Sequence, residues 1–219
     1  REAILPTRTI FRVHLPLDHD TGDTCEDQGG WAIPAQRGVA NRWGTIQADL
    51  QPQWVVTDGP EGTARTCLRF DGLDDNVTFP FRTLPHGPLT LEILLRLPAI
   101  GREMVVFSDQ NGALTLTINA QGMPVLTRLG LSCQGTEALL PGQWHHLAAI
   151  YDAQSLQLTL DGRNVGVTHV PPTVRAINSR PTLGALIQEG RPLSVFLAAD
   201  VAGFALSARP LTPDGTILH

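Results

Sequence analysis

Three carboxylates, Asp71, Asp74 and Asp75, fall close together, and two histidines, His145 and His146, stand side by side. Carboxylates grouped this way either cap a turn through their own backbone, as Asp71-Gly72 suggests, or offer oxygens to a hard cation such as Ca²⁺. The adjacent histidines resemble a metal pair, but neighbouring strand residues point to opposite faces and cannot share one ion. Glycoside hydrolysis requires two carboxylates held at a set separation, and the strongest strand-like run, Leu89 to Leu97, offers only Glu92. No Gly-x-Ser-x-Gly, His-Glu-x-x-His or phosphate-binding loop occurs. Trp31 and Trp43, with Arg37 and Arg42 nearby, have the types that stack on a pyranose ring and bond its hydroxyls. The plainer reading is that these tryptophans plug the end of the fold.

The elements that must carry these groups are strands. Phe11 to Leu15, Leu89 to Leu97, Ala113 to Ile118 and Leu156 to Leu160 alternate apolar and polar residues, the period of a half-buried strand. Pro141 to Asp152 followed by Ser155 to Arg163 reads as a hairpin whose second strand ends in an Asp161-Gly162 turn. Gly, Pro, Asp and Asn punctuate the chain, and no long amphipathic helix is evident. The expected fold is all-β, a two-sheet antiparallel β-sandwich, formed as a single domain over residues 1–219. Asp20 to Trp43 reads as a long loop, and the final strand, Val195 to Leu206, is expected to pair back near the first.

Composition limits the functions further. The net charge of −5 and the lack of a basic run argue against a nucleic-acid partner. All 16 basic residues are arginine. No stretch reaches the ~20 apolar residues of a membrane span. The chain opens on Arg1 with no signal peptide, so a piece excised from a larger protein is expected. Cys25, Cys67 and Cys133 form no zinc spacing; one pair could bridge in an oxidising compartment and leave one thiol over, while Cys67, inside a strand-like run, reads as a buried thiol. Asn76-Val77-Thr78 is a glycosylation sequon by pattern.

Five blocks, in order, resemble the laminin G-like branch of the concanavalin A-like lectin/glucanase family. They are Val13 to Asp18 with Thr24 to Gly29, Asn41 to Ile46, Leu68 to Val77, the Trp144 hairpin, and Ala199 to Ser207. Trp31 to Ala40 stands as an insertion, and Val201 to Phe204 lacks the family's usual charged residues, which suggests that the outer face of that strand is covered. The resemblance implies a concanavalin A-like jelly roll, related to pentraxins, in a secreted or surface bacterial protein. It makes Trp144 a core residue and His146 a hydrogen-bonded framework histidine, which leaves His145 facing solvent or a cleft. It implies a structural calcium held by Asp27 and Asp200; the alternative is that Asp200 simply pairs with an arginine. The pentraxin branch adds a candidate edge site at Asp109, Asn111 and Gln188. The expected function is a non-catalytic carbohydrate-binding module whose partners are a glycan or polysaccharide and neighbouring domains. The alternatives are an interaction module packing through its apolar last strand, and a glycosidase or lyase with a non-standard carboxylate pair.

Overall fold

Alternation in the sequence becomes pleat in the structure. A computed structural model describes residues 12–18, 21–29, 34–38, 51–80, 84, 87–109, 112–171, 180–188, 191–192 and 195–209, and among them every regular element is a strand. In chain order these are β1 (Arg12–Leu15), β2 (Thr24–Cys25), β3 (Ala35–Arg37), β4 (Gln53–Asp58), β5 (Ala64–Asp71), β6 (Val77–Thr78), β7 (Leu89–Arg96), β8 (Met104–Asp109) and β9 (Leu114–Ile118). There follow β10 (Pro124–Arg128), β11 (Leu131–Gln134), β12 (Trp144–Tyr151), β13 (Ser155–Leu160), β14 (Arg163–His169), β15 (Pro181–Leu183), β16 (Ile187–Gln188), β17 (Arg191–Pro192) and β18 (Ala198–Ser207).

Sheet A runs β14-β13-β12-β7-β18-β5-β4, with β1 also on β18; sheet B runs β11-β10-β9-β8-β15-β6-β3-β2. All pairings between these strands are antiparallel. The inner faces meet in one core. Phe204 of sheet A stacks on Phe107 of sheet B at 5.7 Å between ring centroids, and Phe79 lies 5.3 Å from Phe204. Each such side chain, fully buried, contributes ~1.5–3 kcal/mol relative to exposure.

The β13–β14 hairpin turns through Asp161 (φ 50°) and Gly162 (φ 76°), the two left-handed positions that an Asp-Gly turn supplies. The last strand pairs with the first, His14 opposite Ala205. Two expectations are corrected. The stretch from Asp20 to Trp43 is not all loop, since β2 and β3 form one edge of sheet B. Thr90, Glu92 and Arg96 do share the outer face of β7, yet that face is mostly buried, Glu92 completely. Just beyond β18, Thr90 Oγ1 donates to the Arg209 carbonyl at 2.8 Å. Small side chains, Ala148 and Ala205, flank Glu92 on the neighbouring strands.

All three cysteines are buried free thiols. Burial pushes Cys25 up to about 12 and Cys67 up to about 11, so neither is a thiolate near neutrality. Asn76 of the sequon is 1% exposed and donates to the Asp74 carbonyl, out of reach of a glycosylating enzyme.

Candidate functional site

Register assembles a charged row across the outer face of sheet A. Asp200 on β18 lies opposite Arg69 on β5 and Arg96 on β7, and Arg96 lies opposite Trp144 on β12. Residues opposite one another across a sheet touch, and here each neighbouring pair does. Arg69 Nε donates to Asp200 Oδ1 at 2.7 Å and Arg69 Nη2 to Oδ2 at 3.1 Å. Arg96 Nη2 donates to Oδ2 at 2.7 Å, and its guanidinium sits 5.0 Å over the Trp144 ring. Arg96 also bonds Thr57 Oγ1 at 2.6 Å, while Trp144 Nε1 donates to the Asp58 carbonyl at 2.7 Å. Burial alone would raise the Asp200 carboxyl; the hydrogen bonds from Arg69 and then Arg96 outweigh it and hold the group below the usual carboxylate range.

Beside this row opens a cleft of about 390 Å³, with Pro98 and Ala198 as its accessible apolar lining, Phe70 and Leu97 buried behind them, and Asp71 as a wall. Arg69 reaches its rim half-exposed. Asp71 begins the loop that carries the three grouped carboxylates, whose oxygens lie within 4.8 Å of one another. That loop is internally capped: Asp75 Oδ2 accepts from the Asp71 N–H and Asp71 Oδ1 from the Leu73 N–H, each at 2.7 Å. Burial lifts the Asp75 carboxyl to about 6; the Asp71 N–H bond works against this, and the charges of Asp71 and Asp74 add to it. The turn-capping reading of this cluster is the one the hydrogen bonds support.

The expected site residues take other places. Asp27 Oδ1 accepts from the N–H groups of His14 at 2.9 Å and Gly29 at 2.7 Å, which ties the first loop to β1. His14 pairs with Ala205, roughly 15 Å along β18 from Asp200 at strand rise. Asp27 and Asp200 therefore do not converge, and Asp200 already spends both oxygens on two guanidiniums. This pair does not fit a Ca²⁺ ion, which needs carboxylates free of competing cations.

Arg37 points inward rather than toward a ligand. It is buried, donates to the Pro52 carbonyl at 2.7 Å, pairs with Asp23 at 3.5 Å and lies 5.5 Å over Trp54. Asp109 is fully buried and accepts from the Leu114 N–H at 2.6 Å, capping the β8–β9 connection instead of lining an edge site. Gln188 lies in β16 opposite Arg191. Trp31, Trp43, Arg42 and Asn111 lie outside the described residues.

The histidines do split across the strand, His146 hydrogen-bonded as expected, but His145 does not face solvent. His145 is the buried one. Its Nε2 accepts from the Leu140 N–H at 2.9 Å, so Nδ1 carries the proton given to Asp161 Oδ2 at 2.8 Å. His146 lies on the outer face, 3.2 Å from Glu92 Oε1. Because Trp144 starts β12 on the outer face, packed with Cys67, Leu94 and Ala202 rather than in the main core, His145 must follow inward. An arginine partner for Asp200 was the expected alternative to calcium, but the sequence did not say which arginines; the row's members are far apart in the chain, and only strand register unites them.

Residues 70–215 match the family described as the concanavalin A-like lectin/glucanases superfamily. A search of curated proteins returns no match. Among solved structures, domain 4 of AbnA, a GH43 extracellular arabinanase from Geobacillus stearothermophilus in complex with arabinotriose, superposes with a TM-score of 0.65 at 16% identity, covering 95% of this chain and 97% of that one. Trypanosoma rangeli sialidase in complex with sialic acid gives a TM-score of 0.65 at 12% identity, over 96% of this chain but only 32% of the sialidase. The binding domain of Botulinum neurotoxin DC, in complex with rat synaptotagmin II, gives 0.59 at 10% identity, over 94% of this chain and 49% of that one. At these identities the likeness is one of fold.

Proposed function

Because the chain belongs to the concanavalin A-like lectin/glucanase superfamily, we propose that it is a non-catalytic carbohydrate-binding module that holds a saccharide in the cleft at the end of sheet A. The observation that carries this reading is the Arg69–Asp200–Arg96 row beside an apolar lining. Sugars present hydroxyls at their edges and C–H groups on their faces. Guanidinium N–H groups and the Asp71 carboxylate suit the former; the accessible apolar surface of Pro98 and Ala198 suits the latter. The cleft volume lies at the lower end of the ~300–1,000 Å³ usual for small-molecule sites. Ion pairing fixes the guanidiniums before a ligand arrives, so little ordering cost attends binding. Weak binding at one cleft suffices when the module tethers a neighbouring domain to a polymer. The extracellular arabinanase among the structural neighbours fits a secreted or surface setting.

The competing readings find less support. Docking through the last strand requires an exposed apolar face, yet Val201, Ala202, Phe204, Ala205 and Leu206 are all fully buried within the chain itself. A glycosidase requires two available carboxylates, whereas Asp200 is bound on both oxygens by arginines.

The test is titration with a saccharide panel that includes arabinotriose, alone and with Ca²⁺ or chelator, on the protein and on Arg69→Ala. Half-exposed Arg69 can be removed without opening the core. Binding weakened about tenfold or more by the substitution, the loss expected for a hydrogen bond to a charged donor, supports the cleft. Retention unchanged by it, or no binding across the panel, overturns the assignment.

A further inference from the structure

A second cleft, of about 380 Å³, lies at the opposite sheet, where β2, β3 and β6 form the edge of sheet B. Thr24, Gln36 and Thr78 are directly in register across these three strands, so they stand in one transverse row. Their sequence neighbours Cys25, Ala35 and Val77 face the core, which puts the row on the outer face, its members about 4.8 Å apart at ordinary strand spacing.

Hydrogen bonding orients this row for a ligand. Gln36 Nε2 is engaged by the carbonyls of Asp23 at 2.6 Å and Arg37 at 3.2 Å, which leaves its Oε1 as the outward acceptor. Thr78 Oγ1 donates to the Gly38 carbonyl at 3.3 Å and keeps lone pairs to accept. Thr24 is exposed and free to do either. Pro34 and Pro80 supply apolar walls, and Arg180 stands exposed at the mouth. Arg180 is the one charged residue lining this cleft, and no carboxylate pairs with it among the described residues. The first cleft differs in charge, since its two arginines are balanced by Asp71 and Asp200.

We infer that the Thr24–Gln36–Thr78 cleft is a second saccharide site, selective for a sugar that bears a carboxylate, as a uronate does. The row meets ring hydroxyls, and Arg180 receives the carboxylate through paired N–H donors. The inference rests on the reading of the chain as a saccharide binder, but it uses none of the residues of the first cleft, so each site fails or stands through its own variants. A module with sites on two sheets engages two chains, or two stretches of one chain, at once.

Calorimetric titration of the whole protein with an oligogalacturonate and with a neutral galacto-oligosaccharide tests this. The oligogalacturonate is expected to bind more tightly, to weaken as salt is raised, and to lose about tenfold or more in affinity in Arg180→Gln. Thr78→Val, which keeps the shape of the strand residue, is expected to weaken it as well, and Arg69→Ala to leave it unchanged. Equal binding of the charged and neutral oligomers, indifference to Arg180→Gln, loss on Arg69→Ala, or no binding of the oligogalacturonate each overturns the inference. Neutral-sugar binding left unchanged by Arg69→Ala, with uronate binding still weakened by Arg180→Gln, sinks the first cleft alone.

Discussion

Replacing Asp75 with asparagine should make this protein more stable near neutral pH. Asp75 is 3% exposed, and its carboxyl is raised from 3.8 to about 6, first by burial. Because the folded state holds this proton more tightly than the unfolded chain, the stabilisation from the protonated form is fully present below about pH 4 and is lost as pH rises through about 6. A displacement of ~2 pKa units at ~1.4 kcal/mol each means that ionised Asp75 costs roughly 3 kcal/mol at pH 8. Asparagine carries no charge, keeps an oxygen to accept the Asp71 N–H bond, and offers amide hydrogens to the neighbouring carboxylates of Asp71 and Asp74. Half to all of that cost should be recovered, ~1.5–3 kcal/mol at about pH 8, with little or no gain at about pH 4. Urea denaturation of both proteins at the two pH values measures it. A variant less stable than the parent at the higher pH, or a gain of equal size at both, would refute the linkage of this carboxyl to stability.

Two further substitutions probe the frame around the first cleft, and a third, Gly130→Ala, serves as a control away from it. Gly184 has φ +89°, and a Cβ there would lie 2.6 Å from Phe70 Cε1; Gly184→Ala should cost about 2–4 kcal/mol from left-handed strain and overpacking together. Gly130→Ala, at φ +83° with open space around it, should cost only about 1–2 kcal/mol, and equal denaturation midpoints for the two would remove the role given to Phe70. Asp200→Asn should lower neutral-pH stability by about 1–2 kcal/mol, discounted because Arg69 is half-exposed. The folded Asp200 carboxyl sits below its unfolded value, so its contribution is present above about pH 4 and fades below it; the acid limb of the stability profile should therefore flatten in the variant, and an unchanged limb counts against the pairing.

What the sequence disclosed was local. Period-two runs located β1, β7, β9 and β13, and Asp161-Gly162 announced its hairpin, because side-chain alternation and turn chemistry are written in adjacent residues. Inside and outside were harder to read. His145 turned inward, against expectation, because one residue of register reverses a strand's faces, while His146 kept the hydrogen bond expected of it. Arg37 and Asp109 looked like ligands by type, yet buried backbone groups claimed them, Arg37 at the Pro52 carbonyl and Asp109 at the Leu114 N–H. The Arg69–Asp200–Arg96 row was invisible for a different reason. Its spacing exists only across strands, and no short pattern encodes it.

The position of β18 has a consequence for the birth of the protein. This strand lies between β7 on one side and β5 and β1 on the other. Until Ala198 to Ser207 leaves the ribosome, sheet A exists as two unjoined halves with open edges, and contacts of such long sequence separation close slowly. A chain stopped before Ala198 is therefore not a smaller sandwich but an aggregation-prone pair of fragments. The same late arrival brings Asp200 between Arg69 and Arg96, so the ion-paired wall of the first cleft comes into being only once this strand has joined the sheet. Saccharide retention at the proposed cleft would then report on folding, with a chain lacking β18 silent and one carrying it adhesive.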